Sequence, residues 1–202
     1  MSADLAKLNK QAIAVARTHI GHVAWPTVVM VVVVLTGFLT NLALFAIGVL
    51  PAWVALLLLA ALTYMSYTPL HEAAHGNIHG KQDNLEWLNK LCGFLVAPLI
   101  AVPYASHRLE HFTHHRYTNQ PDKDPDYMIS EIGNGVLSSF LVVLKFFWTQ
   151  NTFFIKHGWS AASIKERVTF CFEVLVSFGW RIAFVLLVDQ PGDVTVLLAG
   201  YV

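Results

Sequence analysis

Seven of the ten histidines in this 202-residue chain fall between His71 and His115. The first group reads His71-Glu72-Ala73-Ala74-His75, with His79 following after Gly76. Positions 71, 75 and 79 are each four apart, so a continuous helix would put all three on one face. Gly76 can break that helix, which leaves His79 a weaker member than the other two. The second group runs His107-Arg108-Leu109-Glu110-His111-Phe112-Thr113-His114-His115. Positions 111, 114 and 115 stand at i, i+3 and i+4, again on one helical face, and His107 lies a turn earlier. Neutral imidazole is a good ligand for iron, zinc or copper. Two or three imidazoles on one helical face can bind one ion, and two such helices can hold a pair. His19, His22 and His157 are isolated and read as ordinary polar residues.

His71-Glu72-x-x-His75 alone also fits a zinc peptidase, with Glu72 as general base. The longer form of that motif needs a third histidine six residues after the second, and here His79 comes four after His75. A hydrolytic zinc takes three protein ligands. That chemistry would leave the histidines at 111, 114 and 115 without employment. The surplus fits a two-iron centre better. A metal transporter is a further reading, and it calls for loosely spaced histidines in a flexible segment and ionisable groups along several spans. The helical spacing weighs against it.

The elements around these groups read as lipid-soluble. Hydrophobic residues make up 55% of the chain and charged residues 13%, about half the charged share of a soluble domain. The formal net charge is zero, and no basic patch marks a nucleic-acid partner. Cys92 and Cys171 sit in apolar stretches and read as small hydrophobes. No Asp, Glu, Lys, Arg or His occurs between Val23 and Leu70. One crossing needs roughly 20 residues, so this run predicts two spans, Trp25–Ile47 and Ala52–Leu70, turned at Gly48 and Pro51. Lys7, Lys10 and Arg17 precede them and place the N-terminus in the cytoplasm. Two crossings return the chain to that side at His71. The stretch 91–106 holds Pro98 and Pro103, is short for a span, and predicts a re-entrant or interfacial segment. Histidines shared by one site on both sides of it forbid an odd number of crossings. Gly133–Phe154 is apolar but interrupted by Lys145, and suits the interface plane. Val168–Val188 is long enough to cross. Its Glu173 and Arg181 read as a structural pair or as snorkelling groups, with a substrate or proton path as the alternative. Asp189–Asp193 reads as an external turn, and Val194–Val202 as the start of a fourth span. The expected fold is an all-α membrane helical bundle, one domain over 1–202, cut within that fourth span.

The two groups resemble the first two histidine boxes of the integral-membrane fatty-acid desaturase and hydroxylase superfamily. His71-x-x-x-His75 is similar to the first, and His111-x-x-His114-His115 to the second. The continuation Arg116-Tyr117-Thr118-Asn119, then Asp124-Pro125-Asp126, is similar to bacterial members. The resemblance implies metal ligation by His71, His75, His111, His114 and His115, with His79, His107, Glu72 and Asp126 as further metal or orienting residues. Glu110 and Asp124 join the candidates for orienting an imidazole. It implies two iron ions, dioxygen as co-substrate and a lipid acyl chain from which hydrogen is removed. Electrons would come from a ferredoxin or a b-type cytochrome, since no Rossmann or haem motif is visible. Arg108 and Arg116 would meet lipid headgroups, an acyl carrier or the redox partner. A third box follows the fourth span in that superfamily, so this length of chain is expected to lack part of the metal shell and to be inactive alone. Carotenoid ketolases and hydroxylases share a similar second box and acidic run, and stand as the alternative within the superfamily.

Overall fold

The computed structural model describes residues 3–19 and 21–187. Seven α-helices carry them: α1 Ala3–His19, α2 Trp25–Ala46, α3 Ala52–His75, α4 Trp87–Val96, α5 Tyr104–Tyr117, α6 Val136–Phe153 and α7 Ile164–Leu187. The fold is all-α, and α2, α3 and α7 are long and apolar enough to cross a membrane.

The uncharged run folds into the α2–α3 hairpin. Val34 and Phe38 of α2 and Ala55 and Leu59 of α3 are fully or almost fully buried. Val29, Val32, Val33, Leu39 and Leu57 face outward, each more than half exposed. An outer surface of that composition suits hydrocarbon and not water. The Asn41 side chain donates to the Ala55 carbonyl at 3.0 Å and ties the two helices near their turn.

The helix carrying the second expected span does not stop at Leu70. It continues through Pro69 to His75 and ends at Gly76, whose φ of 73° is the left-handed C-cap conformation that a Cβ disfavours. The first histidine pair therefore rides on the final turn of an apolar helix. The chain then returns toward the helix bundle as α4, passes through a short 3-10 turn at Ala97–Ile100 and turns sharply into α5. The two arms of this elbow meet at 96°. The expected re-entrant segment is thus a bent helix pair. Gly93 lets the arms close, because a Cβ there would lie 2.4 Å from the Tyr104 ring. The Tyr104 hydroxyl donates to the Ala73 carbonyl at 2.8 Å, two residues before His75.

Helix α7 begins at Ile164, one turn before the expected start of its span, and braces the elbow. Glu173 accepts the Ala105 backbone N–H at 2.8 Å, at the first turn of α5. Ser177 donates to the Val102 carbonyl at 3.1 Å. Arg181 donates to the Pro98 and Leu99 carbonyls at 2.9 and 3.2 Å, and also to Ser177. These three residues are four apart and form one polar stripe on the apolar part of the helix that follows Lys165, Glu166 and Arg167. Both charged residues of the span therefore serve the elbow backbone, a role different from a pairing with each other. The segment expected in the interface plane forms α6, which exposes Leu137, Phe140, Leu141, Leu144 and Trp148 and buries Val142, Gln150 and Phe153. The expected turn at 189–193 and the fourth span lie outside the described residues.

Candidate metal centre

The end of α3 and the middle of α5 bring four imidazoles together. His71, His75, His111 and His115 each offer a ring nitrogen, and these nitrogens all lie within 4.8 Å of one another. Three of them form a near-equilateral triangle. Nε2 of His75 is 2.9 Å from Nε2 of His111 and 3.1 Å from Nε2 of His115, and the last two are 3.1 Å apart. Hydrogen bonding cannot explain such a triangle. Each Nε2 carries either one hydrogen or one lone pair, directed outward in the ring plane, and cannot serve two neighbours at once. An ion can. Metal–nitrogen bonds of about 2.1 Å set at right angles place their nitrogens roughly 3.0 Å apart. The donor set, all imidazole nitrogen with room for further ligands, fits iron.

Carboxylates turn two of the rings. Nδ1 of His71 donates to Glu72 at 3.0 Å, and the other Glu72 oxygen accepts from the Asn77 side chain at 2.9 Å. That commits Nδ1 to its proton and leaves Nε2 with a lone pair. Glu72 is occupied in holding its neighbour, which disfavours the general-base role of a peptidase. Asp124 does the same for His114, accepting from Nδ1 at 2.8 Å. It also accepts the backbone N–H groups of Asn119 at 2.8 Å and Asp126 at 2.9 Å. Burial raises the affinity of Asp124 for a proton, but these hydrogen bonds prevail and hold its carboxyl below the usual range.

His114 lies beside the group of four, with its ring centroid 6.3 Å from that of His111. His79 stands apart in the loop after Gly76, with Nδ1 2.7 Å from the Asn89 side chain, whose oxygen accepts the Ile78 N–H. His107 lies almost parallel to His111, centroids 5.4 Å apart. Its Nδ1 donates to Gln150 of α6 at 3.1 Å, and Gln150 donates in turn to Glu110. Asp126 approaches His114 at 3.7 Å and lies beside Glu110. Burial, reinforced by Asp126, holds the Glu110 carboxyl well above the ordinary range, so it remains neutral. Burial and then the surrounding imidazoles pull His111 down to about 3. A ring that stays unprotonated at neutral pH keeps its lone pair for a metal.

Comparison with known proteins decides the family. The profile described as "Fatty acid desaturase" matches residues 47–202. The chain belongs to the fatty acid desaturase family. Similar relatives include the sn-1 oleoyl-lipid 12-desaturase of Picosynechococcus sp., 32% identical over 101 residues. That match covers 50% of this chain and 27% of the relative. The Delta(12) fatty acid desaturase fat-2 of Caenorhabditis elegans is 41% identical over 46 residues, covering 23% of this chain and 12% of its own. No solved structure matches significantly.

Within this desaturase-family site, three contributors escaped the sequence reading: Gln150, Asn77 and Asn89. Gln150 carried a signal, as a polar side chain on the apolar helix α6. Its partners stand 40 and 43 positions away, and no local spacing points to them.

Proposed function

We propose that this protein is a multi-pass membrane desaturase that uses dioxygen to introduce a double bond into a lipid acyl chain. The mutual approach of the His75, His111 and His115 Nε2 atoms, from two helices 36 to 40 positions apart, carries the reading. His71, His75, His111 and His115 would hold one iron. His114, with its Nδ1 held by Asp124, would present Nε2 to a second. Iron bound there supplies the reduction of dioxygen coupled to hydrogen removal from an unactivated methylene pair.

The chain's own residues prepare that site. Glu72 and Asp124 fix ring orientation, and burial keeps His111 free of a proton. The elbow packs α5 against the end of α3, and the acyl chain would reach the site from the bilayer side. Reduction of dioxygen to two waters, with two hydrogens from the lipid, needs two more electrons and two protons. A ferredoxin or b-type cytochrome would supply the electrons. Lys7, Lys10 and Arg17 support a cytoplasmic N-terminus, with the histidine groups on the same side. Residues 1–202 would belong to one desaturase-like domain. The sites of double-bond insertion in the two relatives are stated by their names, and an acyl lipid is the corresponding substrate class here.

The test is fatty-acid analysis of cells expressing the full-length gene, with iron content measured on the purified full-length protein. New acyl double bonds and bound iron are expected. Oxidised carotenoids without acyl change would overturn the substrate class, and one zinc without iron would overturn the chemistry.

A further inference from the structure

Helix α1 takes no part in the site above. It spans 17 residues, about 25 Å at 1.5 Å per residue. The side chains from Leu5 to Ala16 are all exposed, including Leu8 at 61%, Ile13 at 46% and Val15 at 63%. At 100° per residue, Leu5, Leu8, Ala12 and Val15 fall within one arc of about 80°. Ala6, Lys7, Lys10 and Ala14 fall on the opposite side, with Ile13 among them, and Gln11 borders the apolar arc. An exposed helix with an apolar face and a basic face has the amphipathic form of a segment that lies in a membrane surface.

The link to α2 fixes where that surface is. The Ala24 N–H donates to the Ile78 carbonyl at 2.9 Å, and the Lys81 N–H to the Gly21 carbonyl at 3.4 Å. Gly80 permits the approach, since a Cβ there would lie 2.4 Å from the His22 carbonyl oxygen. The chain leaving α1 is thus stapled to the loop just beyond His75, where α3 ends. Helix α1 is held at the membrane boundary that bears the histidines.

We propose that α1 lies in the headgroup layer on the histidine-bearing side, and that its partner is an anionic phospholipid surface. The apolar arc enters the boundary of the acyl chains. Lys7 and Lys10 meet lipid phosphates, and each basic residue adds to attraction for a negative leaflet. The proposal rests on α2 crossing the bilayer and is independent of the oxidative chemistry.

The experiment places single nitroxide labels on the full chain in a Cys171→Ala background, reconstituted in nanodiscs. One set contains phosphatidylcholine with phosphatidylglycerol, the other phosphatidylcholine alone. Labels at Leu8→Cys and Val15→Cys report the apolar arc, Ala6→Cys and Ala14→Cys the polar arc, and Val33→Cys the lipid face of α2. Power saturation with oxygen and with a water-soluble nickel chelate reads depth. In anionic discs, positions 8 and 15 should be oxygen-accessible and shielded from chelate by severalfold relative to 6 and 14. Lys7→Glu with Lys10→Glu, or omission of phosphatidylglycerol, should remove most of that shielding. Equal chelate access at all four positions would overturn the proposal. So would shielding indifferent to lipid charge, or spin–spin broadening at position 15 that shows a second copy. A chelate-accessible label at 33 would overturn the spanning reading itself. A buried label at 33 with α1 in water would sink only the inference about α1.

Discussion

The Arg181 guanidinium donates to the Pro98 carbonyl at 2.9 Å across 83 positions of sequence. Together with Glu173 at the other arm, it holds the bend that aims α5 at the end of α3. Arg181→Leu would leave the Pro98 and Leu99 carbonyls without this donor, at a cost of about 1–3 kcal/mol for each buried group left unsatisfied. Lower thermal stability and reduced bound iron are expected, by melting in detergent and metal analysis. Glu173→Gln should be milder, because an amide oxygen still accepts the Ala105 N–H.

Asp124 anchors one imidazole and two backbone N–H groups. Asp124→Ala should weaken iron binding about 10- to 100-fold, the usual effect of losing an outer partner of a ligand. Asp124→Asn keeps an acceptor and should fall between. Iron titration of the purified variants measures the order, and equal affinity in all three would remove Asp124 from the site.

In the full-length protein, His111→Ala and His115→Ala should each abolish desaturation and lower bound iron, since each removes a corner of the Nε2 triangle. His79→Ala should leave bound iron unchanged and cost only stability, through Asn89. If His79→Ala released iron instead, the site would extend into the loop after Gly76.

Acid should destabilise the metal-free protein. His111 titrates near 3 when folded and near 6.5 in an unfolded chain. Between those values the unfolded state binds the extra proton, so stability falls as pH drops through 6.5 toward 3. Melting temperatures across this window should decline, and His111→Ala should flatten part of the slope.

The spacing of 71 with 75 and of 111 with 115 made most of the centre legible, because helical periodicity alone puts each pair on one face. The same periodicity grouped His114 with them. Its ring is instead turned by Asp124, in a loop that folds back ten positions later, and spacing on α5 carries no trace of that. The two-span hairpin followed from one long uncharged run. The duties of Glu173 and Arg181 did not follow, because their partners are backbone atoms 68 to 83 positions distant. Single-residue identity signals only that a buried charge must be satisfied, not by what.

Two of the four imidazoles stand on the last turn of α3, while the other two belong to a helix fixed from α7. On the proposed topology, the first pair is attached to a rod whose tilt answers to hydrocarbon thickness. Sliding α3 by one residue's rise, about 1.5 Å, is half the 2.9 Å between the His75 and His111 nitrogens. On that topology the imidazole triangle would answer to bilayer thickness, with the Tyr104–Ala73 hydrogen bond as the tie that resists the slide.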